Sequence, residues 1–286
     1  MKYVAFLFLL ISISVAAQKP AYRIVDKAGK DVSWDVVVDK LAVADIVFVG
    51  EYHNNPICHW MEYEITAALY AKKDGKIILG AEMFESDNQM LLDEYIAGLI
   101  KQNSFEDEAK LWNNYETDYK PLVEFAKEHD VKFVASNIPR RYASMVAGGG
   151  FEILDTLSVG AKKLIAPLPI EYDPGLPCYK KMLEMGGMGM KHTSENLPKA
   201  QAMKDATMAH FILQNMKPGY LFIHFNGSYH SDYSEAIVYY IKKKSPETKT
   251  IVISVSELDD IMHPATEDLD KGEYTILVPS TMTKTY

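Results

Sequence analysis

Short apolar runs recur along the chain, each of strand length and each continuous rather than alternating with polar residues. They cover residues 45–49, 76–81, 131–135, 220–224, 250–255 and 274–278. Continuous apolar strands are typical of a parallel sheet that is buried on both faces. The pattern therefore predicts a parallel sheet built from these six runs.

Amphipathic segments separate the predicted strands and indicate helices. One helix is expected to begin where Asn55 caps Pro56, since apolar residues follow at helical spacing. Another is expected at Ser86 and Gln89, which have the spacing of a capping box. Alternating strands and helices predict an α/β fold, with a mainly parallel central sheet flanked by helices.

Two stretches are longer than a simple crossover between strands requires. The first covers residues 87–121 and the second covers residues 148–216. We expect both to form an inserted helical cap above the carboxyl edge of the sheet.

The first residues have the pattern of a secretory signal peptide. Lys2 precedes an apolar run over residues 3–13, and small residues follow up to Ala17. The run is too short to cross about 30 Å of hydrocarbon, so no stable membrane span is expected. Cleavage near Ala17 would leave one α/β domain over residues 18–286, exported to the periplasm or secreted. A buried N-terminal helix is the alternative interpretation.

Charge and cysteine content narrow the range of partners. The formal net charge of −9 argues against nucleic acid and anionic lipid as main partners, because both favour excess Lys and Arg. The two cysteines, Cys58 and Cys178, lie far apart in sequence, and whether they pair stays open. The chain is compatible with a monomer or with a two-fold homodimer.

Polar side chains follow the predicted strands where each strand ends. Because ligands of open α/β sheets bind beyond the carboxyl ends of the strands, these side chains predict a functional pocket. The alternative is that each of them caps a helix or satisfies loop amides. The residues of this predicted pocket are Glu51, His53, Glu82, Arg140, His224 and His230.

Other polar residues have less certain roles. His59 and Glu62 are expected to form a solvated or pocket-rim pair, and Asp205 is expected to be buried on a late helix. A Met/Gly run over residues 185–190 precedes Lys191 and His192. This segment suits a flat apolar ligand with carboxylates at its edge, or it is a loosely packed loop.

The order of these motifs resembles that of the ChaN-like haem-binding uptake proteins. The resemblance runs from about residue 31 to residue 255. It rests on residues 50–53, 82–84, 137–140, 201–209 and 224–230. It implies an exported protein of iron or haem uptake with an α/β sheet and a helical cap. The fold is also similar to that of erythromycin esterases and of TraB/Tiki metalloproteases.

The resemblance also implies how haem would be held. In the family's haem-bound form, two haems stack face to face in a dimer, a Tyr ligates each iron, and a His and a Lys of the partner subunit meet the propionates. In this chain Tyr179 is favoured narrowly over Tyr142 as the ligand, with Lys191 and His192 as propionate partners. Haem would then lie between the strand-end pocket and the cap.

A metal-assisted hydrolase, either an esterase or a peptidase, is the second hypothesis. His53, His224 and His230 would ligate a divalent metal. One of the pocket carboxylates would act as general base on a metal-bound water, and Arg140 would stabilise negative charge. A metal-independent version uses His53 as the base and Glu51 to orient it. Haem binding ranks before hydrolysis.

Overall fold

The core of the fold is a seven-stranded sheet in this computed structural model, which describes residues 19–186 and 195–286, without the side chains of 185 and 186. The strand order is β1-β7-β6-β2-β5-β3-β4, and only β1 is antiparallel to its neighbour, β7. The prediction of an α/β fold with a mainly parallel sheet is confirmed. The strands are β1 (Arg23–Asp26), β2 (Ile46–Glu51), β3 (Ile77–Glu85), β4 (Phe133–Asn137), β5 (Leu221–Gly227), β6 (Thr250–Leu258) and β7 (Tyr274–Pro279).

Several strands continue past the ends of the apolar runs. The pairing of β2 with β5 extends to Glu51 opposite Gly227. The pairing of β3 with β4 resumes at Glu85 after a shift in register that begins at Ala81. Glu82 therefore lies within β3 and not beyond it, and β5 continues for three residues past His224, because backbone pairing continues where the apolar signal has stopped.

Helices cover both faces of the sheet. None of those in the described ranges combines the length and apolar character that a membrane span needs. They are α1 (Trp34–Leu41), α2 (Pro56–Lys72), α3 (Gln89–Ile96), α4 (Gln102–Glu108), α5 (Lys120–Glu128), α6 (Arg140–Gly149), α7 (Val159–Lys162), α8 (Pro177–Gly186), α9 (Leu197–Asn215) and α10 (Ile237–Lys244), with a π-helical turn at Tyr115–Tyr119.

Two apolar cores lie on opposite faces of the sheet. In β2, Val47 and Val49 pack into the core that α1 to α5 cover. Phe48 packs into the other core, which α6, α9 and α10 cover. Cys58 belongs to the first core and Cys178 to the second, and both thiols are free. The sheet separates the two cysteines, so no disulfide forms in this structure.

The predicted helix starts have different outcomes. The Asn55 side chain accepts a hydrogen bond from the backbone N–H of Ile57 at 3.0 Å, with Pro56 in the first turn, as predicted. The prediction of a capping box at Ser86 and Gln89 is wrong. Ser86 begins a short 3-10 turn, and its hydroxyl donates to the carbonyl of Leu164 at 2.7 Å. The Gln89 amide instead bonds the backbone of β4.

In the part of the chain that the structure describes, both predicted cap segments are largely helical, and both contribute residues at the carboxyl edge of the sheet. Trp112 comes from the first segment, and Lys181 and Lys204 come from the second. Helix α9 is more than a cap, since its Met203 is fully buried in the core on the sheet. The division of the chain into a leader and a single capped domain stays a prediction, and the leader, residues 1–17, lies outside the described ranges.

Candidate functional site

A cleft of about 840 Å³ opens above the carboxyl ends of three adjacent strands, β2, β5 and β3. A smaller cleft of about 340 Å³ adjoins it, and both are lined by His53, Glu82, Gln201 and Lys204. These two spaces together are called the strand-end cleft below. The sheet topology therefore brings residues from distant parts of the chain to one opening.

Glu51 and His53 form a close pair on the floor of the cleft. His53 Nδ1 lies 2.5 Å from Glu51 Oε1, and the Tyr119 hydroxyl donates to the same oxygen at 2.8 Å. Burial alone would raise the pKa of Glu51, but the hydrogen bond from His53 and the nearby imidazole of His59 lower it to about 2. Burial alone would lower the pKa of His53, but the bond to Glu51 and nearby acidic charges raise it above 6.5. The carboxylate thus holds the imidazole in one orientation.

The free edge of His53 faces the cleft. About 35% of its side chain is exposed, and Nε2 has no hydrogen bond to any residue of the described ranges. Trp112 packs edge-on against the ring at a centroid distance of 4.9 Å. Gly227 also lies close to this ring, because a Cβ added there would come within 2.8 Å of His53 Cε1. Glycine at this position leaves the room that the imidazole occupies.

A second, fully buried ion chain lies beside the first. His230 Nε2 is 3.1 Å from Glu82 Oε1, and its Nδ1 contacts Asp205. The Tyr179 hydroxyl donates to Asp205 at 2.7 Å, and the Gly227 N–H donates to Glu82 at 2.8 Å. Burial alone would lower the pKa of His230, but the charges of Glu82 and Asp205 raise it to about 10. His230 is therefore a fixed cation that ties α9 to β3.

Three further polar residues form a buried cluster behind Glu51. His59 Nε2 lies 3.2 Å from Glu51 Oε2, and its Nδ1 lies 3.3 Å from Asp118 Oδ1. Both carboxyl oxygens of Glu62 are buried without a hydrogen bond to the described residues. Burial, and then the charge of Glu51, raise the pKa of Glu62 well above its usual value. Of the two expected alternatives, a solvated or a pocket-rim pair, the solvated one is wrong, because the turn at Tyr115–Tyr119 covers this face of α2 and buries both side chains.

His224 takes no part in the cleft. It is fully buried between Phe48 and Phe222, which belong to the core under α9 and α10. The hydroxyl of Ser136 lies 2.8 Å from its Nε2, and its Nδ1 lies 3.0 Å from the Asn226 side-chain oxygen. Burial lowers the pKa of His224 to about 4, so the ring is neutral. Its role in this structure is to satisfy hydrogen bonds inside the core.

The remaining predicted site residues differ in their access to the cleft. Arg140 begins α6 and lines the smaller cleft. Tyr142 is largely buried, and its hydroxyl accepts a bond from Arg141 at 3.3 Å. Tyr179 is fully buried, its hydroxyl donates to Asp205, and it does not line the cleft. Burial, and then the charge of Asp205, raise the pKa of this phenol. The predicted propionate partners at 191 and 192 lie outside the described ranges.

Sequence reasoning missed several residues that line the cleft. The lysines are Lys181, Lys204 and Lys271, and Tyr233 is a half-exposed aromatic residue beside them. The position of Lys204 at the cleft could have been predicted, because it lies three residues after Gln201 and hence on the same helical face. No sequence pattern places Lys271 at the cleft, since it comes from the loop before β7.

The backbone next to the cleft is strained. Tyr233, Ser234 and Ala236 have φ values of 60°, 57° and 51°, in the left-handed region that residues other than glycine rarely adopt. Such residues cost about 1–3 kcal/mol each and cluster at functional sites. The strain presents Tyr233 at the mouth of the cleft, where about half of its side chain is exposed.

The predicted metal ligands do not form a metal group. Residues 19–186 and 195–286 contain no cluster of three or more His, Cys, Asp or Glu arranged to hold a metal ion. Of the three proposed ligands, His224 is hydrogen-bonded in the core and His230 is held by two carboxylates. Only His53 keeps a ring nitrogen directed towards the cleft.

Comparisons with known proteins agree on one fold family. The model of the family described as haem-binding uptake, Tiki superfamily, ChaN matches residues 37–241. The structure described as cofacial haem binding to ChaN of Campylobacter jejuni aligns with a TM-score of 0.66 and 19% identity, covering 90% of this chain and 96% of that chain. A search of curated proteins gave no significant match.

Two further solved structures have the same fold. A protein of Bacillus cereus aligns with a TM-score of 0.52 and 11% identity, covering 87% of this chain and 92% of that one. A mutant of the erythromycin esterase EreC in its open conformation aligns with a TM-score of 0.50 and 12% identity, covering 83% and 77%. At such identities the likeness concerns the fold alone.

Proposed function

Because the chain belongs to the ChaN family of haem-binding uptake proteins in the Tiki superfamily, we propose that it binds haem in the strand-end cleft. The main support is the cleft itself, whose volume of about 840 Å³ lies within the range of about 300–1,000 Å³ typical of cofactor sites. Its walls combine aromatic side chains with lysines, which suits an apolar macrocycle that carries carboxylates.

The lysines around the cleft suit the propionates. Lys204 projects from α9, Lys181 from α8, and Lys271 from the loop before β7. Charge-assisted hydrogen bonds from such groups to carboxylates are stronger than neutral ones. Lys191 and His192 remain proposed partners as well, since they follow α8 in the chain.

Tyr233 is the tyrosine that we propose as iron ligand in place of Tyr179 and Tyr142. When bound, ferric haem supplies an iron that a phenolate oxygen can ligate. Tyr233 is half exposed at the cleft mouth, whereas the other two phenols are buried. Burial and the nearby Asp232 raise the pKa of Tyr233, so the free protein holds this phenol protonated. Ligation would release that proton, and affinity would rise with pH.

Titration of the purified protein with hemin tests the proposal. We expect a saturable spectrum of the tyrosinate-ferric type, lost in Tyr233→Phe. The matched control is Tyr63→Phe, because Tyr63 is similarly exposed on α2 outside the cleft. Absence of any saturable spectral change in the wild-type protein would refute haem binding. An unchanged spectrum in Tyr233→Phe would refute only the choice of ligand.

Metal-independent hydrolysis is the second candidate, and the His53–Glu51 pair favours it. With Glu51 bound to Nδ1, Nε2 of His53 could take a proton from an attacking water in the cleft. Arg140 lines the adjoining space and could stabilise negative charge on the ester or amide oxygen.

An ester panel distinguishes the two candidates. Hydrolysis by the chelator-treated protein that disappears in His53→Gln would support a metal-free base. His129→Gln is the control, because the His129 ring packs on Phe125 and lies outside the cleft. No turnover above the His53→Gln background would exclude this candidate and leave haem binding untouched.

Export, uptake and assembly are further parts of the proposal. We propose that residues 1–17 direct export to the periplasm or beyond, that the cargo serves iron uptake, and that two copies associate when haem is bound. Mass spectrometry of the protein from its own cells should give a chain that begins near residue 18. Light scattering with and without hemin should give a dimer only with hemin. A full-length cytoplasmic chain, or a monomer at saturating hemin, would contradict these points.

A further inference from the structure

A separate cavity lies on another face of α9. It has a volume of about 240 Å³, is partly open to solvent, and is bordered by α9, α10 and the segment over residues 166–171. Ala206, Ala209 and Leu213 line it, whereas Gln201 and Lys204 of the same helix line the strand-end cleft. At 100° per residue these two sets lie on different sides of the helix. Among the residues that the structure describes, none lines both spaces.

The interior of the cavity is apolar. The small side chains of Ala206 and Ala209 leave space on the α9 surface, and Leu213 closes one side. Pro169 and Ile170 of the covering segment face them across this space. Well-packed interiors contain few voids larger than a water molecule, so an apolar space of this size is suited to an apolar guest.

The rim of the cavity is cationic. Lys243 and Lys244 end α10 there, and Lys243 forms an ion pair with Glu171 of the covering segment. Lys244 has no ion pair or hydrogen bond within the described ranges. Burial, and then the charge of Lys244, lower the pKa of His210, so this rim residue is neutral at pH 7. The two lysines therefore share the single carboxylate of Glu171, which leaves an excess of one positive charge beside an apolar space.

We propose that this cavity is a second ligand site, which binds an amphipathic carboxylate of the medium-chain fatty-acid type. The alkyl chain would lie against Ala206, Ala209 and Leu213, where its burial provides most of the affinity. The carboxylate would meet Lys244 at the rim, with the neutral His210 as a further hydrogen-bond partner. The charge excess at the rim selects an anion over an amine of the same length.

Calorimetric titration of the full mature chain with octanoate tests the site. We expect one saturable site per chain and weaker binding of octylamine. Lys244→Gln should weaken the binding of octanoate by about two- to fivefold, because the contact between Lys244 and the carboxylate is partly exposed to solvent. The same variant should bind octylamine at least as tightly as the wild-type protein does. The matched control is Lys101→Gln, since Lys101 is exposed at the start of α4 outside the cavity.

Filling the cavity is the second test. Ala209→Leu should abolish octanoate binding while leaving hemin binding unchanged, and the unfolding midpoint shows whether the variant folds. Should it fail to fold, the wild-type protein and Lys244→Gln still decide the question. No saturable octanoate binding, equal affinity for octylamine, or competition between hemin and octanoate would each overturn the proposal.

Discussion

Replacement of His230 by leucine tests whether the buried ion chain holds the site together. His230 lies between Glu82 and Asp205, and all three side chains are almost fully buried. Leucine has a similar volume but no charge and no donor. The variant would leave two buried carboxylates facing each other with only the hydrogen bonds from Gly227 and Tyr179.

The expected loss in the free energy of unfolding follows from the pKa of His230. A shift from 6.5 to about 10 in the folded state corresponds to about 5 kcal/mol at about 1.4 kcal/mol per pH unit. Removing one partner from a buried ion pair typically costs about 3–5 kcal/mol. We therefore expect His230→Leu to lower the free energy of unfolding at pH 6 by about 3–5 kcal/mol.

The pH dependence supplies a second readout. The folded pKa of His230 is raised above the unfolded value, so its stabilisation is complete below about pH 6.5 and is lost as the pH rises through about 10. Urea unfolding followed by circular dichroism, at pH values from 6 to 9.5, measures the free energies. The difference between wild type and variant should narrow as the pH rises.

A surface histidine provides the control. His263 pairs with Asp260, and about 85% of its side chain is exposed, so His263→Leu should leave stability unchanged. If His230→Leu lowers the free energy of unfolding by less than about 1 kcal/mol, or by an amount that does not depend on pH, His230 is not a buried stabilising cation.

Other substitutions test the rest of the site. Burial and the charge of Glu51 raise the pKa of Glu62 well above 4.5 in the folded protein, which disfavours folding once the unfolded side chain ionises. Glu62→Gln should therefore stabilise the protein at pH 7 and not at pH 4, as measured by urea unfolding. Gly227→Ala should displace the His53 ring, whose Cε1 would lie 2.8 Å from the new Cβ; we expect shifted His53 NMR resonances and a loss of about 1–3 kcal/mol, and unchanged resonances would contradict the contact. Because the bond to Glu51 raises the pKa of His53, Glu51→Gln should lower that pKa in an NMR titration, and a constant value would contradict the pairing.

The sheet could be predicted because its strands are buried on both faces. Each of the six continuous apolar runs became a strand, since long-range packing and local composition agree there. Strand β1 has only four residues, lies at the edge and is antiparallel, so it left no such pattern. Glu82 was predicted beyond its strand, because hydrophobicity reports burial and not the end of backbone pairing.

Contacts between residues that are distant in the chain could not be predicted from the sequence. His59 and Glu62 lie on α2 and face Asp118, which is more than fifty residues away in the chain. Helical periodicity cannot reveal that a distant turn buries a second face of the same helix. The burial of Tyr179 could not be predicted for a related reason: its neighbours in sequence do not determine that its hydroxyl bonds Asp205 of α9.

The distribution of charge constrains how an anionic ligand could lie in the cleft. Glu51 and Glu82 form the floor, and hydrogen bonds and nearby cations keep the pKa of each well below 4.5. Lys181, Lys204 and Lys271 line the walls of the cleft. Lys204 is close enough to Glu82 to contribute to the lowered pKa of that carboxyl group. A carboxylate directed at the floor would meet like charges in a partly desolvated space, whereas one at the rim would meet cations. Under the proposed function, the propionates therefore point outwards, towards Lys181, Lys204 and Lys271.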